Sequence, residues 1–537
     1  MSKQYATVLQ PATSLQNKTG SWRTVRPEYV KKIPPCNMTC PAGENIQQWL
    51  SLVQEKKFEE AWIEMTSNNP FPATMGRVCY HTCELACNRS HFDGSINVNL
   101  IERTIGDMAI KNGWNFDQPK ASTGKKILVI GAGPAGLSAA YFLRKSGHDV
   151  TIYEASSKAG GMMRYGIPQY RLPRNVLDAE VKRITDLGIK IVFNKVVTDV
   201  EIERNNFDVV FIATGACCAS KTDIDVKQGA TVIDAIDFLY KVEDDKNSLP
   251  DLGENVVVYG GGNTAIDAAR TALRLGAKNV KIVYRRTLKK MPAHSTEIQD
   301  AMKEGIEILC LRTISSIESN KVILDEMSYD EEKNELIKTG KVETLEADSV
   351  IFAIGQSIDE KIVSNLSNIK VSEKGIIEVD ANMMTGEKGI FAGGDVVSTT
   401  RTVTHAIGFG KKAAKCINAY FDGTTYVAQP KHEVAVFTKI NTDYFADSPR
   451  QEVDRLGELN FTEKDVTYSD EQAVAEANRC FSCGNCFHCD NCYSYCPDNA
   501  IIKHADGSLE INYDYCKGCG ICATECPCGA IKMVSNE

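Results

Sequence analysis

Two runs of cysteine constrain this chain more than any other feature: Cys486-x2-Cys489-x2-Cys492-x3-Cys496-Pro and Cys516-x2-Cys519-x2-Cys522-x3-Cys526-Pro. This spacing holds two 4Fe-4S clusters, the fourth cysteine of each run crossing to the other cluster. One cluster is expected on Cys486, Cys489, Cys492 and Cys526, the other on Cys516, Cys519, Cys522 and Cys496, with Cys528 surplus. The chain has 20 cysteines, and they crowd toward its two ends. In a small secreted domain that number would mean disulfides; in a long chain with this clustering it means metal. Cys217, Cys218, Cys310 and Cys416 stand apart and read as inert thiols.

At 537 residues and 43% hydrophobic composition the chain is too long for one core and predicts three or four domains. A net charge of -9 argues against nucleic acid as the main partner. The start has no signal-peptide core, and no run of apolar residues is long enough for a membrane span, so the expectation is a soluble cytoplasmic protein without membrane contact.

KKILVIGAGPAGLSAAYFLRKSGHDVTIYEA, from Lys125, predicts a strand, a glycine turn, a helix and a second strand ending in an acid. Gly131 permits the turn, Gly133 lets backbone approach a pyrophosphate at the helix N-terminus, and Gly136 lets the helix pack on the sheet, while Glu154 is placed for ribose hydroxyls. ENVVVYGGGNTAIDAARTALRLGAKNVKIVYRRT, from Glu254, repeats the plan with Gly260, Gly262 and Ala265. Its second strand ends not in an acid but in Arg285 and Arg286, with Lys289 beyond, which leans to the 2'-phosphate of NADP over NAD. Two dinucleotide folds in one chain imply hydride exchange between nicotinamide and flavin, and no acid, base or nucleophile is needed beyond positioning. GIFAGGDVV sets Asp395 to meet the flavin, so residues 251–385 are expected as an NAD(P)-binding insert in an FAD-binding domain formed by 121–250 and 386–425.

GAGPAGL, GGMMRYGIPQYRLP, GGGNTAIDAARTALRLGA, YRR with MPA, AIGQ and FAGGD together resemble the glutamate synthase small-subunit family, which includes the flavin half of dihydropyrimidine dehydrogenase. The resemblance implies FAD at Gly131, Gly133, Pro134, Ala135, Gly136, Glu154, Gly161, Met162, Arg171, Gly394, Asp395 and Thr404. For NADP or NAD it implies Gly260, Gly261, Gly262, Asn263, Thr264, Arg285, Arg286, Lys289 and Gly355. Leu288 stands where the family often has arginine. The expected fold class is α/β: two Rossmann-like domains, preceded by a helical iron-sulfur domain at 1–120 and followed, after a linker at 426–478, by a small bacterial-ferredoxin domain at 479–537.

For the N-terminal cysteines the resemblance implies two further 4Fe-4S clusters. One takes Cys40, Cys79, Cys83 and Glu102; the other takes Cys36, Cys87 and two cysteines of an upstream RCxxCG. This chain has TGSWRTVRP there instead, and its only RCxxCG is at Cys480 and Cys483. The expectation is that this displaced pair returns to Cys36 and Cys87, within the chain or across a homodimer, so that the chain carries three or four clusters. TGSWRTVRP also resembles the leader of the ferredoxin-like subunit of 2-oxoacid:ferredoxin oxidoreductases. The expected function is an NAD(P)H oxidoreductase passing electrons through FAD and 4Fe-4S clusters to or from ferredoxin or such a partner enzyme, alone or as a subunit of a larger complex. Two alternatives stand beside it: the reductase subunit of a glutamate synthase-like complex, and an electron-transfer adaptor without nicotinamide turnover.

Overall fold

The computed structural model describes residues 18–219, 222–245, 248–330, 335–428, 432–453, 457–464 and 466–536. Two parallel five-stranded sheets form its centre. In the first, Lys126–Ile130 lies between Val209–Ile212 and Asp149–Tyr153, with Ile390–Ala392 and Lys190–Val192 at the edges. Its central strands are nearly continuous runs of Ile, Leu and Val because both faces are buried, one under helices and the other under Val200, Ile362, Leu366 and Ile377. In the second sheet Asn255–Tyr259 lies between Asn279–Tyr284 and Ser349–Phe352, flanked by Glu307–Cys310 and Thr231–Asp234. Thr231–Asp234, on the flavin side of the 250/251 boundary expected from sequence, pairs in parallel with Ser349–Phe352 and so belongs to the nucleotide sheet. The two halves are joined by crossings that pair with each other, Cys218–Ala219 running antiparallel to Gln356–Ser357.

The N-terminal helices share their core with the flavin half. Trp49, Trp62, Met65 and Phe71 are buried in one continuous cluster with Ile127, Leu137 and Ile407. The helix Val403–Phe421 packs along Pro134–Lys145, and the approach is so close that a Cβ on Gly410 would collide with the Ala135 carbonyl. Gly408, on the same helix, likewise meets the Pro41 carbonyl beside Cys40. One helix thus fixes the N-terminal cysteines against the first dinucleotide fold.

Ahead of Cys36, Val25–Tyr29 is a strand that pairs antiparallel with Ile531–Ser535 of the C-terminal module. Arg23 secures it through Asn536 Oδ1 at 2.6 Å. Among the described residues of 426–478, the α-helix Asp470–Ala477 is closed by a capping box at Ser469 and packed on Ile46–Gln54. Among the described residues, no helix is long and apolar enough to cross a membrane.

Candidate functional site

The two glycine turns face one cavity of about 290 Å³. Pro134, Met162 and Asp395 line it from the first fold, and Gly262, Asn263 and Thr264 from the second. Both turns end at a helix N-terminus, with Gly133 capping Pro134–Lys145 and Gly262 capping Asn263–Arg274, so unpaired amides and the positive helix end point where a phosphate would lie. Gly131 has φ of +105°, and a Cβ on Gly136 would collide with its carbonyl. At Gly262 no atom stands within 4 Å of where a Cβ would project. The buried Nε of Arg401, a cavity-lining residue, has no hydrogen-bond partner. Open turns and an unpaired guanidinium nitrogen are what a dinucleotide needs. Burial pushes the Asp395 carboxyl up to about 6, with the Arg401 charge pulling the other way.

Other expected cofactor residues fall as follows. Glu154 is buried and accepts from the amides of Ala132 at 2.7 Å and Ser156 at 2.8 Å, which ties the glycine turn to the end of the second strand. Gly161 lies against Gly133, Gly394 against Ala135, and Gly355 lines the cavity. Gly260 has φ of +155°, and Gly261 packs under the Tyr284 ring. Arg285, Arg286 and Lys289 are exposed and form no ion pair with the described residues. Arg171 lines the cavity with its side chain 9% exposed, bonded to Asp267 at 2.7 Å and to Glu297 at 3.0 Å, so its charge spans the two dinucleotide folds.

The iron-sulfur half reaches the same cavity. Val78 and Tyr80 line it on either side of Cys79 in sequence, and Thr404 Oγ1 donates to Cys79 Sγ at 3.0 Å. The Tyr80 ring stacks on His294 at 5.0 Å and 12°, while the His294 amide donates to Asn263 Oδ1 at 2.9 Å. Cys40, Cys79 and Cys83 lie within electrostatic reach of one another. Glu102 is buried nearby, with its oxygens bonded to His81 Nε2 at 2.8 Å and Asn69 Nδ2 at 3.1 Å. Burial alone would lower the His81 pKa, but Cys79 and Glu102 outweigh it and hold the imidazole well above its ordinary value. Glu44 shares Asn69 Nδ2 at 2.9 Å, a second buried carboxylate that sequence reading did not single out.

In the C-terminal module Cys486, Cys489, Cys492, Cys526 and Cys528 line one cavity, and Cys496, Cys516, Cys519 and Cys522 line another. The Ala530 amide donates to Cys526 Sγ at 3.3 Å and the Ala500 amide to Cys496 Sγ at 3.2 Å. Such bonds stabilise the charge of a cluster and suit iron-sulfur ligation. Among the described residues, no three His, Cys, Asp or Glu side chains converge on a point as a single metal ion requires; the thiols instead stand around cavities.

Residues 125–410 match the family described as pyridine nucleotide-disulphide oxidoreductase. The chain belongs to that family. Residues 8–114 match dihydropyrimidine dehydrogenase domain II, 4Fe-4S cluster, and residues 485–530 the 4Fe-4S dicluster domain. The chain is 33% identical over 502 residues to the NADP(+)-dependent formate dehydrogenase subunit beta of Moorella thermoacetica, covering 84% of this chain and 70% of that one. Its identity to the NADPH-Fe(3+) oxidoreductase subunit beta of Geobacter sulfurreducens is 31% over 508 residues, with coverages of 84% and 75%. To the glutamate synthase [NADPH] small chain of Azospirillum brasilense it is 33% identical over 418 residues, with coverages of 72% and 86%. This member of the family is therefore an FAD- and iron-sulfur-dependent NAD(P)H oxidoreductase.

Sequence reading missed Tyr80, His294 and Arg401. Tyr80 had one usable signal, its place next to Cys79. The other two announce themselves only through contacts.

Proposed function

We propose that the protein carries electrons between NADPH and a one-electron redox partner that docks at its C-terminal module. The observation that carries this reading is the single cavity where both glycine turns meet Val78 and Tyr80, the two neighbours of Cys79. FAD, when bound, supplies the conversion between a two-electron hydride and single electrons that clusters accept. The helix ends at Gly133 and Gly262 hold the phosphates, while Arg285, Arg286 and Lys289 recognise the 2'-phosphate and favour NADPH. In this reading Cys40, Cys79, Cys83 and Glu102 hold the first cluster, and Cys486 through Cys526 hold two more near the surface. The remaining glycines, Pro134, Ala135, Glu154, Met162, Asn263 and Thr264 shape the cofactor sites, and Arg171 fixes the two folds together over them.

Cys486, Cys489 and Cys519 are exposed, and Trp22 beside the arm is 65% exposed, which supports electron exit on this face. The arm's resemblance to 2-oxoacid:ferredoxin oxidoreductase subunits makes an enzyme of that class, or a free ferredoxin, the partner we favour. Two relatives are named as beta subunits, which supports a role in a larger complex. A cytoplasmic site of action suits so many reduced thiols. The test is an anaerobic titration with NADPH and then NADH, following flavin bleaching and cluster EPR. NADPH-driven bleaching followed by cluster signals is expected; bleaching by neither nucleotide refutes the reading.

A further inference from the structure

Four thiols from distant parts of the chain line one largely apolar cavity, with Cys83 of the first set as a fifth. Cys36 and Cys87 come from the helical domain, Cys480 and Cys483 from the segment ahead of the C-terminal module, and Leu50, Ile96 and Val98 wall the space between them. Neither iron-sulfur match includes the later pair, since one ends at residue 114 and the other begins at 485.

The backbone of the Cys480–Cys483 loop repeats that of the two ferredoxin loops. Two residues after the leading cysteine the chain is left-handed at Ser482 (φ 50°), as at His488 (56°) and Gly518 (75°). Two residues further on it is left-handed again at Gly484 (73°), Asp490 (64°) and Gly520 (82°). A side-chain-bearing residue pays about 1–2 kcal/mol for that conformation, so its recurrence at matched positions marks a shared constraint. The constraint is visible: the turn aims an amide at the leading sulfur. Ser482 N donates to Cys480 Sγ at 3.4 Å, and the amides of His488 and Gly518 do the same for Cys486 and Cys516. His81, left-handed at 43°, repeats the bond to Cys79 at 3.3 Å.

We propose that Cys36, Cys87, Cys480 and Cys483 bind a 4Fe-4S cluster assembled from both ends of a single chain. No second subunit is needed, because buried bonds within the chain hold the two ends together. Asn88 Nδ2 donates to Cys483 Sγ at 3.4 Å, and Arg89 Nη1 to the Arg479 carbonyl at 2.6 Å. The fully buried Glu476 accepts from the Asn97 amide at 2.8 Å and from Arg479 at 2.6 Å. Lys32 N reaches the Gly484 carbonyl at 3.2 Å, and Gly484 N reaches that of Cys528 at 2.7 Å.

The location gives the cluster its role, which rests on the function proposed above; its ligands do not. Cys83, of the first set, lines this same cavity, while Cys528, bonded to Gly484, lines the cavity of Cys486. One electron entering from the Cys83 side leaves toward Cys486, with no atom transferred. Because its ligands lie so far apart in sequence, this cluster also forms only after Cys483 has been made.

The test uses intact holoprotein and the Cys480→Ser/Cys483→Ser double variant. Intact protein should hold about 16 iron atoms per chain, and the variant about four fewer, with one EPR-active species lost. In the variant NADPH should still bleach the flavin, dithionite should still reduce the C-terminal clusters, and NADPH should no longer do so. Cys416→Ser, a buried thiol outside every set, should keep all its iron. About 12 iron atoms in intact protein, or unchanged iron in the double variant, overturns the proposal even if the variant's fold is disturbed. Full iron without bleaching by NADPH would refute the proposed function and leave the cluster standing.

Discussion

The stack of Tyr80, which lines the shared cavity, on His294 joins the iron-sulfur domain to the nucleotide domain, and its removal should slow flavin reduction without emptying any cofactor site. The nucleotide domain is tied to the rest by its paired crossings, by the Arg171 bonds to Asp267 and Glu297, and by this stack. Burial lowers the His294 pKa, so a neutral ring faces the phenol at pH 7. Pairs in such geometry contribute about 0.5–1.5 kcal/mol beyond their burial, which corresponds to roughly 2- to 13-fold in the population of the closed arrangement. Stopped-flow bleaching by NADPH should therefore show Tyr80→Ala and His294→Ala each slowing the limiting rate within that range. The double variant should be no slower than the worse single, and NADP+ affinity and iron content should hold in His294→Ala. Tyr80→Phe keeps the ring and should behave as wild type. Additive losses in the double variant, or a Tyr80→Phe defect as large as that of Tyr80→Ala, would refute the stack as the cause.

Four other outcomes follow from the geometry. Glu180 is fully buried, accepts from the amides of Ala73 and Thr74, and is pushed up to about 7 by burial. Its folded pKa exceeds the unfolded value, so stability should fall by up to about 3 kcal/mol as pH rises from 4.5 to 7, and Glu180→Gln should remove that slope in pH-dependent denaturant melts. Arg285→Ser with Arg286→Ser should raise the KM for NADPH by about tenfold or more and leave that for NADH unchanged in steady-state assays, since a charge-assisted bond is worth about 1.5–3 kcal/mol. Thr404→Val deletes the hydroxyl donor to Cys79 and should lower the midpoint potential of that cluster in an EPR-monitored titration. Glu476→Ala leaves Arg479 paired with Asp93 but strips the Asn97 and Gln451 amides of their acceptor, and should cost about 1–3 kcal/mol in denaturant unfolding of the holoprotein.

What could be read from sequence was what local spacing encodes. A glycine turn between a strand and a helix is a local requirement of phosphate binding, and CxxCxxCxxxCP is a local requirement of a cubane, so both appear within a few residues of their chemistry. Thr231–Asp234 was harder because a strand this short, carrying only Val232 and Ile233 as large apolar residues, has no period to separate one sheet from the other. Arg171 lines the cavity as a cofactor residue would, but its bonds to Asp267 and Glu297 of the other dinucleotide fold were not legible from spacing. Spacing has no vocabulary for a charge shared between domains. For Cys480 and Cys483 it was the displaced RCxxCG motif, not their spacing from Cys36, that led to the expectation of their return to Cys36 and Cys87. What holds them together is a set of buried bonds between distant segments, Arg89 to the Arg479 carbonyl and the Asn97 amide to Glu476, beside the pairing of Val25–Tyr29 with Ile531–Ser535, edge strands that carry no mark of their partner. These bonds and the strand pairing together keep the two thiol pairs on one cavity. Breaking the strand pairing should therefore lower iron content at the junction even though no ligand has been touched.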